Sequence, residues 1–328
     1  MKILFIIKRN SCYGYSYHGA GGLLNSARFI VDMLNDSGID AKLVAVTDNN
    51  DIDREVSEYR PDVVIVEAFW VVPEKFDVLK GLHPSVEWIV RGHSDVPFLA
   101  TEGVAIDWVF GYLQRGVSVA FNDPRTVQNF FLLTGDKNVL YLPNYYPLYG
   151  SVQSHNPTDY FNVGCFGAIR PLKNQLLQAV AAIRYADKAD KRLRFFVNAT
   201  RCEQGGESVL KNLRSLFANS DHELVEARWY DHDDFLRLIG TMDVEMAVSF
   251  SETFCITAAD AIAAGVPLIC SDEVPWATRL STVCPTDANA MVRKLEHLHP
   301  SWNHTLNYRN LYNYSKKSKQ IWLQEFSG

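Results

Sequence analysis

Two short segments bring cations and acids together in a way that suits a phosphorylated ligand. In Gly164-Cys165-Phe166-Gly167-Ala168-Ile169-Arg170-Pro171-Leu172-Lys173-Asn174-Gln175, an apolar run and a glycine turn lead to two cations three positions apart, then to a helix-like run. Backbone N–H groups at a helix N-terminus favour an anion, and Arg170 and Lys173 add positive charge, so a diphosphate fits. An ordinary strand-to-helix turn with solvated charges has the same appearance. In the second segment, Ser249-Phe250-Ser251-Glu252-Thr253-Phe254 reads as a polar loop after an apolar run. An Ala-rich helix follows, carrying Asp260 eight positions after Glu252 and ending at Gly265 before Val266-Pro267. An acid on so small and apolar a helix needs a partner, because an unpaired buried carboxylate is costly. Ribose hydroxyls would supply one, and a neighbouring backbone group is the alternative. For Glu252 the alternative to a site role is simple exposure.

The elements that must position these residues alternate along the whole chain. Strands are expected at Lys2–Ile7, Lys42–Val46, Asp62–Val66, Val86–Val90, Val117–Phe121 and Val139–Leu142. Leu23, Leu24, Ala27, Ile30, Val31 and Leu34 fall on one face of a helix. Pro143-Asn144-Tyr145-Tyr146-Pro147 and the polar stretch Ser151–Asp159 read as a linker. Strands resume at Phe161–Phe166, Leu193–Val197, Glu223–Glu226, Val244–Val248, Pro267–Cys270 and Thr282–Cys284. Helices are expected at Gln175–Tyr185, Ser208–Phe217, Asp233–Ile239, Thr257–Ala264 and Ala288–Leu298. Short strands separated by helix-length segments imply parallel sheets wrapped by helices. The expected organisation is an α/β chain with two Rossmann-like parallel-sheet domains facing a cleft, at 1–150 and 151–300, and a C-terminal segment, 301–328, crossing back to the first. Ligands of such sheets bind beyond the carboxyl ends of the strands.

Order, spacing and context together resemble the donor site of glycosyltransferases of the GT-B fold, in particular glycosyltransferase family 4 (group 1). That family shows Arg-x-x-Lys after the first strand of its C-terminal domain. It also shows a Glu-x7-Glu signature, reading Ser-x-x-Glu-Gly-Phe-Gly and then a second Glu in an Ala-rich helix before Gly-x-Pro. Here Ser251-Glu252-Thr253-Phe254-Cys255 replaces both glycines, and Asp260 replaces the second Glu at the same spacing. The resemblance covers residues 160–275 specifically and the rest loosely. It implies that Arg170 and Lys173 bind the diphosphate of a nucleotide sugar, that Glu252 lies near the sugar with Ser251, Thr253 and Phe254 in the same donor loop, and that Asp260 holds the ribose. It puts Asn198 and Tyr230, each just after a strand, around the base.

The resemblance also marks positions in the first half. Tyr17-His18-Gly19-Ala20-Gly21-Gly22 matches the family's glycine-rich loop, with Gly21 and Gly22 against the donor. His93, in Arg91-Gly92-His93-Ser94-Asp95, stands where the family places a histidine facing the donor sugar. Its alternative is a histidine bonded to a loop carbonyl. Trp229 reads as a core aromatic more than as a platform for a base.

The bulk numbers narrow the rest. A hydrophobic share of 47% and a charged share of 21% indicate a folded protein, and a net charge of −6 gives no global attraction to nucleic acid or anionic membrane. The first apolar run is five residues and ends at Lys8-Arg9, too short for a signal core, and no run reaches the roughly 18 residues of a spanning helix. A cytoplasmic protein is expected, free or peripheral to a membrane, in the host cytoplasm where a phage encodes it. The six cysteines lack Cys-x-x-Cys spacing and read as free thiols. The Asp-x-Asp strings at Asp51–Asp53 and Asp231–Asp233 read as helix-start acids, not metal ligands. No cofactor is expected beyond a nucleotide-sugar co-substrate, UDP-linked by preference.

The reaction implied by the resemblance is metal-independent transfer of a sugar to a hydroxyl acceptor, with retention. Arg170, Lys173 and a helix N-terminus would stabilise the leaving phosphate, and Lys173→Ala should cut turnover by orders of magnitude while leaving the fold intact. The default acceptor is a saccharide or glycolipid. The alternative is a hydroxymethylated pyrimidine in phage-type DNA, held by aromatics such as Tyr13, Tyr15, Tyr17 and Trp70, with phosphate contacts from Lys8 and Arg9 or from Lys316, Lys317 and Lys319. A non-catalytic nucleotide-sugar-binding protein is a reading of another class. A dinucleotide-dependent oxidoreductase is disfavoured, because no Gly-x-Gly-x-x-Gly follows a strand.

Overall fold

Apolar runs bounded by charge become strands buried on both faces, as a parallel sheet covered by helices requires. The computed structural model describes residues 1–9, 21–148 and 159–326. The chain forms two units, one from Met1 to Pro147 with the chain from Tyr314 onward, the other from Leu148 to Asn313.

Unit 1 runs β1 (Lys2–Lys8), α1 (Gly21–Asn35), β2 (Asp40–Val46), α2 (Asp51–Tyr59), β3 (Val63–Glu67), α3 (Lys75–Leu82), β4 (Glu87–Gly92), α4 (Val96–Leu99), α5 (Ala105–Gln114), β5 (Ser118–Phe121), α6 (Pro124–Thr134) and β6 (Val139–Tyr141). Its six strands pair in parallel in the order β2-β1-β3-β4-β5-β6. The order reverses between β1 and β3, which marks the place where a ligand crevice opens in such sheets. Register sets Glu67, the last residue of β3, opposite Arg91 of β4.

Unit 2 runs β7 (Tyr160–Ile169), a tight turn at Pro171–Lys173, α7 (Gln175–Lys188), β8 (Arg192–Cys202), α8 (Gly206–Ala218), β9 (Glu223–Ala227), α9 (His232–Ile239), β10 (Val244–Ala247), α10 (Ile256–Ala263), β11 (Leu268–Cys270), α11 (Ala288–Glu296) and the start of α12 (Pro300–Phe326). The sheet order is β11-β10-β7-β8-β9, again all parallel. Here the reversal falls between β7 and β10. Those are the two strands whose following loops carry Arg170 and Lys173, and Ser251 and Glu252.

Several local expectations need correction. The strand before Arg170 does not stop at Phe166. It continues through a register shift to Ile169, with Gly167 at φ +108°, a value that favours glycine. Thr282 makes only a single bridge, to Cys270, because its neighbours do not continue the ladder. Pro143–Pro147 is no solvated linker: Asn144 and Tyr146 are buried, and the Pro143 carbonyl accepts the indole N–H of Trp322, in the last helix, at 2.8 Å. The C-terminal helix runs from Pro300 to Phe326. Its Trp322 and Phe326 are buried in the core of unit 1 with Phe5 and Ile65. Among the described residues no helix is long and apolar enough to cross a membrane.

Candidate active site

Four contacts stitch the loops after β7 and β10 into one body. The N–H of Phe250 donates to the Leu172 carbonyl at 2.9 Å. The Asn174 side-chain amide donates to the carbonyls of Val248 (3.1 Å) and Pro285 (2.7 Å), from a residue held at φ +58°. Gln178, fully buried at the start of α7, accepts the Val248 N–H at 2.8 Å and donates to the Lys173 carbonyl at 2.8 Å. Lys173 Nζ pairs with Glu252 Oε1.

The Lys173–Glu252 pair sets the local electrostatics. Burial draws Lys173 toward the neutral amine, but the Glu252 carboxylate outweighs it and holds the ammonium above its ordinary value. Burial likewise pushes Glu252 up, and Lys173, Arg170 and the Ser249 hydroxyl (2.8 Å) bring it below the usual carboxylate range. Both groups are therefore charged. Glu252 is buried, so the exposed alternative is excluded. Arg170 lies one turn earlier and pairs with Glu203 at 3.3 Å. The cations thus stand at the entrance of α7, each steered by its own carboxylate.

Behind the loop, Asn198 of β8 accepts the N–H of Gly167 at 2.9 Å, fixing the glycine bend. Asn198 here is a buried support of the backbone. Ser251, Thr253 and Phe254 are also buried, and the Phe254 carbonyl accepts the Trp276 indole N–H at 2.8 Å. Cys255, where the family pattern has glycine, sits at φ +61°. A side chain in that region costs about 1–2 kcal/mol. The position thus keeps the backbone shape of a glycine without the glycine. Burial holds its thiol up at about 12, so it is a packing group and no nucleophile.

Asp260 is buried on α10 among alanines that are themselves fully buried. It meets His232, the first residue of α9, with Nε2 at 2.8 Å from Oδ1. The Asp231–Asp233 string resolves the same way: Asp231 caps α9 by accepting the Asp234 N–H at 3.0 Å, and His232 turns to Asp260. Asp51 and Asp53 lie in the first turn of α2.

Tyr230 is half-buried with Arg228 over its ring at 4.9 Å. Trp229 is not a core aromatic. It is half-buried at the strand end with Arg201 over its ring at 5.0 Å.

One buried acid escaped the sequence reading. Glu245, in the middle of β10, is fully buried. Its Oε1 accepts the Phe166 N–H at 3.3 Å, and Oε2 finds no hydrogen-bond partner among the described residues. Burial drives its carboxyl well above the ordinary value against the Phe166 N–H, and Asp260 pushes the same way. Burial thus favours the neutral form of Glu245. In that form it would not subtract from the positive field at Arg170 and Lys173.

In unit 1, Gly21 and Gly22 form the first residues of α1. Cys12, Tyr13, Tyr15, Tyr17, His18, Gly19 and Ala20 lie outside the described residues. His93 Nε2 contacts Glu67 Oε2, with Arg91 also at hand. Trp70 donates its indole N–H to the Glu67 carbonyl at 3.0 Å, so it braces this cluster.

The model of a family described as "Family 4 Glycosyltransferase in conflict systems" matches residues 136–305, more than half of the chain. The chain belongs to this family. It is thus an enzyme of the glycosyltransferase class, and its fold is GT-B. Among solved structures, this family 4 glycosyltransferase is similar to a UDP-forming α,α-trehalose-phosphate synthase from Burkholderia xenovorans (13% identity, 99% of this chain and 98% of that one, TM-score 0.69). It is similar to a sucrose-phosphate synthase from Thermosynechococcus elongatus (14% identity, 100% of both chains, TM-score 0.68). It is also similar to a trehalose-6-phosphate structure from E. coli bound with UDP-2-fluoro glucose (11% identity, 99% and 98%, TM-score 0.67). At such identities the likeness speaks for the fold. No curated protein sequence matches the chain.

Proposed function

We propose that this glycosyltransferase moves a sugar from a nucleotide-sugar donor, UDP-linked, to a hydroxyl acceptor of saccharide type, including glycolipids. The observation that carries the reading is the stitched pair of loops at the β7/β10 reversal, where Arg170, Lys173 and the start of α7 converge. Negative charge grows on the diphosphate as the bond to the anomeric carbon breaks. Groups fixed in advance at that point lower the barrier most, since no reorganisation is needed. They supply the positive charge themselves, so no metal is invoked. Asp260, with His232, serves the ribose. Glu252 holds Lys173 and borders the sugar, and His93 serves a sugar hydroxyl. Retention follows the family resemblance. The named UDP ligand and UDP-forming activity of similar structures, and their sugar-phosphate products, support the donor and acceptor classes.

A second acceptor class is favoured by the family's description, which sets its members in conflict systems. A sugar placed on a hydroxymethylated pyrimidine would mask DNA from an opponent's nuclease.

The test is a thermal-shift screen of UDP, GDP and ADP sugars, followed by transfer of labelled sugar from the best donor. A ligand that binds only the folded state raises its stability by mass action. A melting shift with UDP sugars and label in saccharide or lipid is expected. Label only in hydroxymethylated duplex DNA would install the second reading, and no shift with any nucleotide sugar would overturn both.

A further inference from the structure

We propose that Glu203 is a positioning residue for Arg170, holding its guanidinium at the end of β7 in competition with a diphosphate, and that Arg201 loosens this hold by drawing on the same carboxylate. The diphosphate part rests on the reading of Arg170 given above; the linkage itself is a feature of unit 2 alone.

Backbone geometry brings the three side chains together. Between the pairs Ala168–Asn198 and Ile169–Cys202, β8 carries Ala199, Thr200 and Arg201 with no counterpart on β7. Such a bulge re-aims side chains, and here it sets Arg201 beside the strand end that leads to Arg170. The chain then closes on Ile169. The Glu203 N–H donates to the Ile169 carbonyl at 2.9 Å. Gln204 and Gly205 follow at φ +51° and +89°, and the Gly206 N–H donates back to the Glu203 carbonyl at 2.9 Å. A Cβ at Gly206 would fall 1.9 Å from the Ile169 carbonyl oxygen, so only glycine lets α8 start this close to β7. Gln204 carries a side chain in the left-handed region, where L residues are disfavoured, and such strain gathers at functional sites. The turn thereby fixes Glu203 against the residue that precedes Arg170.

Glu203 is shared unequally between the two arginines. Its Oε1 accepts Arg201 Nε at 2.6 Å, with Arg201 Nη2 at 2.5 Å from the same oxygen. Its Oε2 accepts Arg170 Nη1 at 3.3 Å, the longer contact. Arg201 has a second anchor. Its guanidinium lies 5.0 Å from the centre of the Trp229 ring, and the backbone N–H of Trp229 donates to Thr200 Oγ1 at 3.1 Å. The side chains of Arg170, Glu203 and Arg201 keep 19%, 29% and 32% of their surface open, so a ligand can reach them.

The chemistry follows from this sharing. Two cations around one carboxylate leave a positive charge in excess. Were Glu203 paired with Arg170 alone, the two charges would cancel, and a phosphate would have to displace the carboxylate outright. With Arg201 taking the short contacts, Oε2 defines where Arg170 stands and holds it by one long bond. A phosphate oxygen accepts the same N–H donors with a charge of the same sign. It replaces Oε2 on Arg170 while Arg201 keeps Glu203 in place. When the diphosphate leaves, Arg170 returns to Oε2. The carboxylate thus readies the guanidinium before the donor arrives, as a site organised in advance requires, and it lowers the affinity for the diphosphate that remains after transfer.

The test is calorimetric titration of UDP into the full chain at low salt, where charges at a surface are least screened. Glu203→Gln keeps the shape and removes the charge. It should tighten UDP binding about two- to fivefold, the range of a partly exposed ion pair. Arg201→Gln leaves Glu203 wholly to Arg170 and should weaken binding by about the same factor. Both changes should vanish in an Arg170→Ala background, because the carboxylate acts through that side chain. A merely structural turn would weaken binding in both variants regardless of Arg170. Melting curves check that each variant folds, and if Arg201→Gln does not, the Glu203→Gln arm decides alone. The hold in the empty site is read separately, from the Arg170 Nε–H resonance, assigned by its loss in Arg170→Ala. It should move in Glu203→Gln, and an unmoved resonance overturns the hold. Unchanged or weaker UDP binding by Glu203→Gln, or a shift that persists in Arg170→Ala, overturns the competition and leaves the reading of Arg170 standing. Wild-type UDP affinity in Arg170→Ala sinks that reading, and the competition with it.

Discussion

The imidazole Nε2 of His232 and the carboxylate of Asp260 meet at 2.8 Å, joining the first residue of α9 to the middle of α10. An aspartate is one methylene shorter than the glutamate of the family pattern. A carboxylate set back on its helix needs a neighbour to define its direction, and His232 provides it from the adjacent helix.

Replacing His232 should therefore loosen the nucleotide and not the chemistry. A hydrogen bond to a charged group contributes about 1.5–3 kcal/mol, so His232→Ala should weaken UDP binding by roughly tenfold or more. Calorimetric titration with UDP measures it. Affinity unchanged within about twofold would mean that Asp260 keeps its direction without the ring.

Lys173 and Glu252 call for two variants with opposite signatures. On the proposed function, Lys173→Ala removes a cation from the diphosphate site and should lower kcat by about a hundredfold or more. It also leaves Glu252 buried without its cation, at a cost of about 3–5 kcal/mol, so the variant should fold but melt lower. Glu252→Gln removes the charge that competes for Lys173. It should bind UDP more tightly while transferring sugar more slowly. Weaker UDP binding by Glu252→Gln would show that the pair does not compete with the diphosphate.

Much of this site was legible because parallel sheets put function after strands. The run Val63-Val64-Ile65-Val66 announced β3, and the spacing of Arg170, Lys173, Glu252 and Asp260 singled out those side chains. What escaped was the partner of each. Glu245 interrupts the apolar strand Val244–Ala247, and an acid there reads from sequence as a residue on a solvated face. Only the sheet order, which lays β10 beside β7 and Glu245 opposite Gly164, shows it to be interior. His232 was hidden inside a string that resembles a metal motif, because its direction depends on how α9 packs on α10. Glu67 and Arg91 are distant in sequence, and their pairing follows from register alone. Trp229 was misread because aromatic character marks a core and a strand-end surface equally.

Gly164 is the steric counterpart of Glu245. A methyl group at Gly164 would fall 2.3 Å from Glu245 Oε2 and 2.7 Å from the Phe166 ring. Overpacking of this kind costs about 1–3 kcal/mol. Gly164→Ala should lower the urea midpoint, and Glu245→Ala in the same chain should restore part of the loss. Additive losses in the double variant would separate the two positions.

The raised carboxyl of Glu245 makes its own prediction for stability against pH. Unfolded, this group ionises around 4.5, its ordinary value; folded, burial keeps the proton to a higher pH. Between those two values the native state binds the extra proton, so stability falls as pH rises. Glu245→Gln has no proton to lose and keeps an oxygen for the Phe166 N–H. Its stability relative to wild type should therefore climb steadily from about pH 4.5 to the folded value and then level off. Glu252 runs the other way: its lowered carboxyl adds stability above its unfolded value and loses it as pH falls through the folded one. Because Glu252 is present in both proteins, the difference between their urea midpoints isolates Glu245. A difference that is flat with pH would mean that Glu245 is ionised in the folded chain, and with it a negative charge stands behind Arg170 and Lys173.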